Sequence, residues 1–198
     1  MSTNEQDIQA ALDIIYEKTH VPFDIKNVII EQNMSKREHW SGCYRHGTKI
    51  YLNPKIFKPL DEAKLREQFR ENDYLHIICN KEGKLVRQTE DEYIASKVQE
   101  RFDDILEVIS HEIGHYVHNV YFNNMSMYLR GRTRYARKNK YENFAVAFQQ
   151  YVQNRLMHHS KRYIKIDHII QVQLKETIKY RLDNGIIKPE DIKVNYVA

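Results

Sequence analysis

Cysteine is scarce in this sequence, which has only Cys43 and Cys79 among its 198 residues. Two cysteines encode neither a disulfide framework nor a cysteine-rich zinc site, and we expect both thiols to be reduced. Long apolar runs are missing as well, because the aliphatic stretches are far shorter than the roughly 20 residues that cross a bilayer. Residues 1–7 lack the basic and apolar regions of a secretory signal. These absences predict a cytoplasmic protein without a membrane partner.

The overall composition is that of an ordinary globular protein, with 41% hydrophobic and 29% charged residues. A chain of this length can bury a substantial core as one domain, so we expect residues 1–198 to form a single domain. Internal repeats and low-complexity segments are absent from the sequence. The net charge of +4 is mildly basic, which would favour acidic partners but does not by itself indicate nucleic-acid binding.

Basic residues are concentrated between positions 130 and 140, with no acid among them. The residues are Arg130, Arg132, Arg134, Arg137, Lys138 and Lys140. Such a run is most often a solvated connection between helices, and a nucleic-acid-binding patch is the alternative.

Hydrophobic periodicity predicts an α+β fold in which strands precede the main helices. Helical patterns cover residues 4–18, 60–72, 92–119, 141–156 and 169–182. Strand patterns cover 28–30, 74–79 and 85–86, and residues 40–53 have the pattern of a hairpin. We expect a capping box between Thr3 and Gln6 at the start of the first helix, a possible helix break around Asp103, and a buried strand at 74–79.

The most informative stretch is His-Glu-Ile-Gly-His at 111–115. Positions i and i+4 of a helix share one face, so His111 and His115 can supply two ligands of one tetrahedral zinc. Glu112 lies about 100° round the helix, at the flank of that face, which suits a general base. An apolar stripe at Ile105, Ile109, Ile113, Tyr116 and Val120 lies on the side away from the histidines. The alternative is two surface histidines on an ordinary amphipathic helix.

A catalytic zinc usually takes a third protein ligand, for which Glu142, His118 and the pair His158 and His159 are candidates. The three-histidine metalloprotease motif would need glycine at position 118 and histidine at 121, and His118 and Tyr121 exclude it. We expect His118 to be a surface residue, and the pair at 158–159 to end a helix. Glu142 could also be a helix cap, since Asn139 stands three residues before it.

Residues 111–115 followed by Glu142-Asn143-Phe144-Ala145-Val146-Ala147-Phe148 resemble the gluzincin peptidases, most closely the anthrax lethal factor-like family. The resemblance extends roughly over residues 40–156. It implies a zincin-like fold, in which a small mixed sheet accompanies an active-site helix and a following glutamate-bearing helix. It also implies zinc as the cofactor and Glu142 as the third ligand. Val146 stands where relatives often carry an acid, which leaves open how the ligand shell is supported.

The same resemblance implies that Tyr135, seven residues before Glu142, assists the transition state through its hydroxyl. A purely structural role is the alternative, because the chain holds 14 tyrosines and one of them will often fall at a chosen offset.

These residues together predict a zinc-dependent metallopeptidase that acts on a peptide or protein substrate. In this hypothesis zinc polarises the scissile carbonyl and activates a water, Glu112 takes the proton, and Tyr135 donates to the oxyanion. The strand at 48–52 is a candidate edge for pairing with an extended substrate. Two alternatives stay open: a regulatory protease of a mobile element that acts on a repressor, and a non-catalytic binding protein that contains zinc.

Overall fold

The computed structural model describes residues 2–36, 41–45, 47–80, 82–125, 139–154 and 166–186. Its strands are β1 (Val28–Ile30), β2 (Gly42–Tyr44), β3 (Ile50–Leu52), β4 (Ile77–Cys79) and β5 (Leu85–Arg87). Its helices are α1 (Thr3–Thr19), α2 (Glu62–Glu71), α3 (Glu90–Phe122), α4 (Lys140–Val152) and α5, which joins Ile166–His168, the π-helical Ile169–Leu174 and Lys175–Asp183. The α+β prediction is therefore confirmed. None of these helices combines the length and apolar character that crossing a membrane requires.

Helix α1 forms where its periodicity predicts it, but its capping box lies one residue earlier than expected. The Ser2 hydroxyl accepts a hydrogen bond from the Glu5 N–H, and the Glu5 carboxylate accepts one from the Ser2 N–H. The predicted pair of Thr3 and Gln6 is wrong because a charged carboxylate is a stronger acceptor than an amide. The buried face of α1 includes Ile8, Ala11, Leu12 and Ile15.

The hairpin predicted at 40–53 is confirmed as the antiparallel pair β2 and β3. Strand β1 pairs with β3 in parallel, so the order of this small mixed sheet is β1-β3-β2. The proposed edge strand at 48–52 is therefore wrong, since β3 is bonded on both sides. Within the described sheet, β2 is the edge strand next to α3.

The predicted buried strand at 74–79 is also wrong. Its first half belongs to a 3₁₀ turn, Asp73–His76, and the strand proper is β4. β4 pairs with β5 in a two-stranded hairpin, where Ile77 is 56% exposed and Ile78 is 42% exposed. An apolar run predicts burial only where a second layer covers it, and no described element provides that layer here.

Helix α3 runs without a break for 33 residues, and it carries the motif near its C-terminal end. It begins at a capping box between Thr89 and Glu92 and ends at Asn123 in the left-handed conformation. The predicted break at Asp103 is absent because its carboxylate accepts a hydrogen bond from the Gln99 side chain one turn earlier, instead of competing for the backbone.

The most extensive contact between two described elements is that of α3 with α4. The predicted apolar stripe is confirmed at Ile105, Ile109 and Ile113, which are fully buried, while Tyr116 and Val120 are partly buried. At the crossing, a Cβ atom on Gly114 would lie 2.8 Å from the Ala145 Cα and 3.1 Å from its carbonyl oxygen. The glycine therefore allows the two backbones to approach more closely than any other residue would.

We predict that Gly114→Ala lowers both stability and metal affinity. Overpacking costs about 1–3 kcal/mol, which exceeds the gain of up to about 1 kcal/mol that alanine brings to a helix. The contact is with backbone, so α4 must shift as a unit. Thermal unfolding and zinc titration measure the two effects.

Gly83→Ala is the matched control, because Gly83 has φ +78° in the β4–β5 hairpin and open space around its Cα. This variant should lose stability through backbone strain and keep its metal affinity. Equal metal affinity in Gly114→Ala and the wild type would contradict the role given to the crossing.

Candidate metal centre

Three side chains from α3 and α4 converge on one point. The Nε2 atom of His111 lies 3.3 Å from Oε2 of Glu142, and Nε2 of His115 lies 3.5 Å from Oε1 of the same carboxylate. All three potential ligand atoms lie within 4.8 Å of one another. A tetrahedral ion about 2.0–2.1 Å from its ligands holds them roughly 3.3 Å apart. His111, His115 and Glu142, called the ligand group below, therefore have nearly the spacing that a zinc ion requires.

The two imidazoles approach the carboxylate from different directions. Their ring centroids are 4.9 Å apart and their planes are inclined at 86°. Both rings come from one face of α3, one turn apart, as the i, i+4 spacing predicts. Each ring presents its Nε2 atom to Glu142, so the ligand atoms meet without the rings stacking.

Glu142 faces the histidines and does not form the capping box with Asn139. The N-cap residue of α4 is indeed Asn139, but its side chain accepts from the Tyr141 N–H at 3.0 Å. Glu142 lies in the first turn, where the helix dipole favours a negative charge. Its carboxylate is therefore held by the dipole and by two imidazoles.

In the absence of a metal, the imidazoles and the carboxylate of Glu142 stabilise each other's charged forms. Hydrogen bonds from His111 and His115 lower the pKa of Glu142 to about 2. Burial lowers the pKa of His111, but the hydrogen bond to Glu142 and the charges of Glu112 and Glu142 outweigh it, so that pKa lies above its ordinary value. A divalent cation would replace these imidazole protons as the partner of the carboxylate.

Glu112 lies beside the ligand group without belonging to it. Its side chain is only 6% exposed, and burial raises its pKa against the opposing effects of the two histidines and of a hydrogen bond from the Tyr44 backbone N–H. A Cβ atom on Gly42 would lie 2.9 Å from both the Cγ and the Oε1 of Glu112. Strand β2 therefore reaches this carboxylate only because position 42 has no side chain.

The ligand group and Glu112 open into a cleft of about 860 Å³ between β2, α3 and α4. One wall is fixed by a hydrogen-bonded series in which the Asn124 side chain donates to Asn119 at 2.7 Å, and Asn119 donates to the Tyr44 hydroxyl at 2.8 Å. The Tyr44 hydroxyl in turn donates to the Gly47 carbonyl at 2.9 Å. The cleft wall is therefore tied to the sheet as well as to the helix.

His118 is buried, which corrects the prediction of a surface residue. It is 1% exposed, its ring stacks on Phe144 at 4.8 Å, and its Nε2 atom lies 2.7 Å from the Met125 carbonyl. Burial lowers its pKa. Positions 111, 115 and 118 share the helix face that α4 covers, so His118 packs under α4 while the two ligand candidates emerge at its edge.

Several predicted residues lie outside the described part of the chain. They are Tyr135, His158, His159 and the basic residues 130–138. Of the basic run, Lys140 is described, and its Nζ donates to the Asn124 carbonyl at 3.1 Å.

Four residues at this centre were missed from the sequence: Gly42, Tyr44, Asn119 and Gln149. A glycine within a strand pattern can mark a close backbone approach, which is a usable signal for Gly42. Gln149 stands seven residues after Glu142 and so shares its helix face. The Oε1 atom of Gln149 lies 3.3 Å from Nδ1 of His111.

Comparisons of the chain with protein-family models, with curated proteins and with solved structures found no match. The chemistry of the site itself is therefore the basis on which a function can be proposed.

We predict that the interaction between Glu142 and His111 stabilises the metal-free protein most in mildly acidic solution. The pKa of Glu142 in the folded state, about 2, lies below its ordinary 4.5, so its contribution is complete above 4.5 and is lost as the pH falls toward 2. The pKa of His111 lies above its ordinary 6.5, so its contribution is complete below 6.5 and is lost as the pH rises through the folded-state value.

The free energy of unfolding, measured with a chelator present, should therefore exceed that of Glu142→Gln most between about pH 5 and 6 and by less toward about pH 8. A difference that grows from mildly acidic to alkaline pH would contradict this electrostatic account.

Proposed function

We propose that this protein is a zinc-dependent metallopeptidase. The observation that carries the proposal is the convergence of His111, His115 and Glu142 within 4.8 Å, on the wall of a cleft that also contains the buried carboxylate of Glu112. Two imidazoles and one carboxylate are the ligand set of many catalytic zinc sites, which leave a fourth position open.

Zinc is the metal that suits these donors best. Imidazole nitrogen favours zinc and other late transition metals over magnesium or calcium, which prefer oxygen ligands. The donors of the ligand group are two imidazoles and one carboxylate. When bound here, zinc would act as a Lewis acid that polarises a carbonyl and lowers the pKa of a water toward about 7.

Glu112 is the residue that we assign to proton transfer. It accepts a proton from the attacking water and later delivers it to the leaving amine. Burial raises the pKa of this carboxyl, which brings it closer to the operating pH and makes both steps accessible to one group. The N–H of Tyr44 holds the carboxylate toward the cleft from the side of β2.

Strand β2 provides an edge for an extended peptide. The carbonyl of Ser41, just before β2, accepts a hydrogen bond from the N–H of Asn53, just after β3. In an antiparallel pair, the backbone groups of successive residues point alternately toward the partner strand and away from it. The backbone groups that point away from β3 therefore include the N–H of Tyr44 and both groups of Gly42. These groups face α3 and the cleft. Pairing with Gly42 would align a substrate backbone beside Glu112 and the metal ligands.

The order of elements supports the resemblance to the gluzincin family and the anthrax lethal factor-like peptidases. A small mixed sheet is followed by α3 with the motif and by α4 with Glu142, which is the order of elements that the resemblance implies. The role of Tyr135 in stabilising the oxyanion stays a prediction.

Glu112→Gln tests the catalytic proposal most specifically. The amide keeps the shape of the side chain but accepts no proton, so hydrolysis of a peptide found by a library digest should fall by at least about 10²–10⁴. Zinc content, measured on the purified protein, should stay at one ion per chain. His115→Ala is the comparison variant, which should lose both zinc and activity because two ligands do not hold the ion.

Wild-type turnover in Glu112→Gln would assign the activity to another site or to a contaminant. A wild-type protein that holds zinc tightly but cleaves no member of the library would favour the non-catalytic binding protein. Cleavage confined to one repressor sequence would favour the regulatory protease.

A further inference from the structure

A series of side-chain amides leads away from His111 on the side opposite the metal centre. Nδ1 of His111 lies 3.3 Å from Oε1 of Gln149. Nε2 of Gln149 donates to Oε1 of Gln153 at 3.5 Å. Nε2 of Gln153 donates to the Asp103 carbonyl at 3.4 Å and to the Glu107 carboxylate at 3.5 Å.

The far end of this series fixes the direction of every hydrogen bond in it. The Asp103 carbonyl and the Glu107 carboxylate are acceptors only, so the amide nitrogen of Gln153 must face them. Its oxygen then faces Gln149, whose nitrogen must donate to it. The oxygen of Gln149 is consequently the atom that meets His111.

We infer that Gln149 and Gln153 form an amide relay that fixes the tautomer of His111 for metal binding. Because the oxygen of Gln149 accepts only, Nδ1 of His111 must carry a proton, so Nε2 is the nitrogen whose lone pair becomes free when a cation displaces the proton that it donates to Glu142. Nε2 is the atom that lies 3.3 Å from Glu142 and faces the proposed ion. Gln149 and Gln153 are thus positioning residues, and the inference rests on the proposed zinc site.

The relay affects metal binding by orienting the His111 ring, because its individual hydrogen bonds are weak. Its distances of 3.3–3.5 Å lie at the long end of the hydrogen-bond range. Partners of metal-bound histidines nevertheless change metal affinity about 10–100-fold when they are removed, because they set the ring orientation and the basicity of the ligand. The relay also anchors α4 to the earlier turns of α3, at Asp103 and Glu107.

Four variants separate orientation from simple packing. Gln149→Leu fills similar space but accepts no hydrogen bond, and we expect its zinc dissociation constant, from chelator competition, to rise about 10–100-fold. Gln149→Glu still accepts from Nδ1, so it should bind zinc at least as tightly as the wild type.

Gln153→Leu leaves Gln149 in place but frees its amide to rotate, and should weaken zinc binding less than Gln149→Leu does. Gln150→Leu, on the same helix but outside the relay, should leave the affinity unchanged.

A second readout needs neither zinc nor activity. In the chelator-treated wild type, at a mildly acidic pH where the His111 ring carries a proton on both nitrogens, ¹⁵N NMR should find the Nδ1 proton hydrogen-bonded and slow to exchange. Gln149→Leu should lose that hydrogen bond and the protection of the Nδ1 proton. Thermal unfolding in chelator checks that all variants are folded.

Equal zinc affinity in Gln149→Leu and the wild type would overturn the inference, as would equal losses in Gln149→Leu and Gln149→Glu, or a rapidly exchanging Nδ1 proton in the metal-free wild type. If the wild type binds no zinc, the proposed function fails, while the NMR measurement still decides on the relay.

Discussion

The close crossing of α3 and α4 is the constraint on which the rest of this structure depends. His111 and His115 lie on one helix and Glu142 on the other, so the distance between the helices sets the distance between the proposed ligands. Gly114 stands between the two histidines and contacts Ala145, three residues after Glu142. The ligand geometry is therefore a consequence of core packing, which fixes it more firmly than surface loops would.

Charge balance in the cleft follows from the same packing. Burying a carboxylate is unfavourable unless hydrogen bonds or opposite charges compensate for the lost water. Two imidazoles compensate Glu142, whereas Glu112 has the Tyr44 N–H and the positive charge of its neighbours. The result is one carboxylate with a lowered pKa and another with a raised pKa in a single cleft. Such a division of roles is typical of sites that combine ion binding with proton transfer.

The sequence predicts the helices, the β2–β3 hairpin and the α+β class because these depend on periodicity within one segment. It predicts the ligand candidates because their spacing in a helix determines their face. It does not reveal burial that depends on a second element: β4 is exposed because none of the described elements covers it, and His118 is buried because α4 lies over it. Gly42 and Gln149 were missed for the same reason, since their partners are distant in the chain. Because position 146 is a valine and not an acid, the sequence does not show which residue hydrogen-bonds to the proposed ligands. In the structure, Gln149 supplies an acceptor for His111.

X-ray absorption spectroscopy at the zinc edge, on the zinc-loaded protein, tests the central claim most directly. We expect two imidazole nitrogens and oxygen ligands at about 2.0–2.1 Å from the zinc, with no sulfur bound to it. Cys43 lines the same cleft, so a thiolate is the chemically realistic competitor. A sulfur ligand at about 2.3 Å, or a single imidazole, would contradict the assignment of His111, His115 and Glu142 as the zinc ligands.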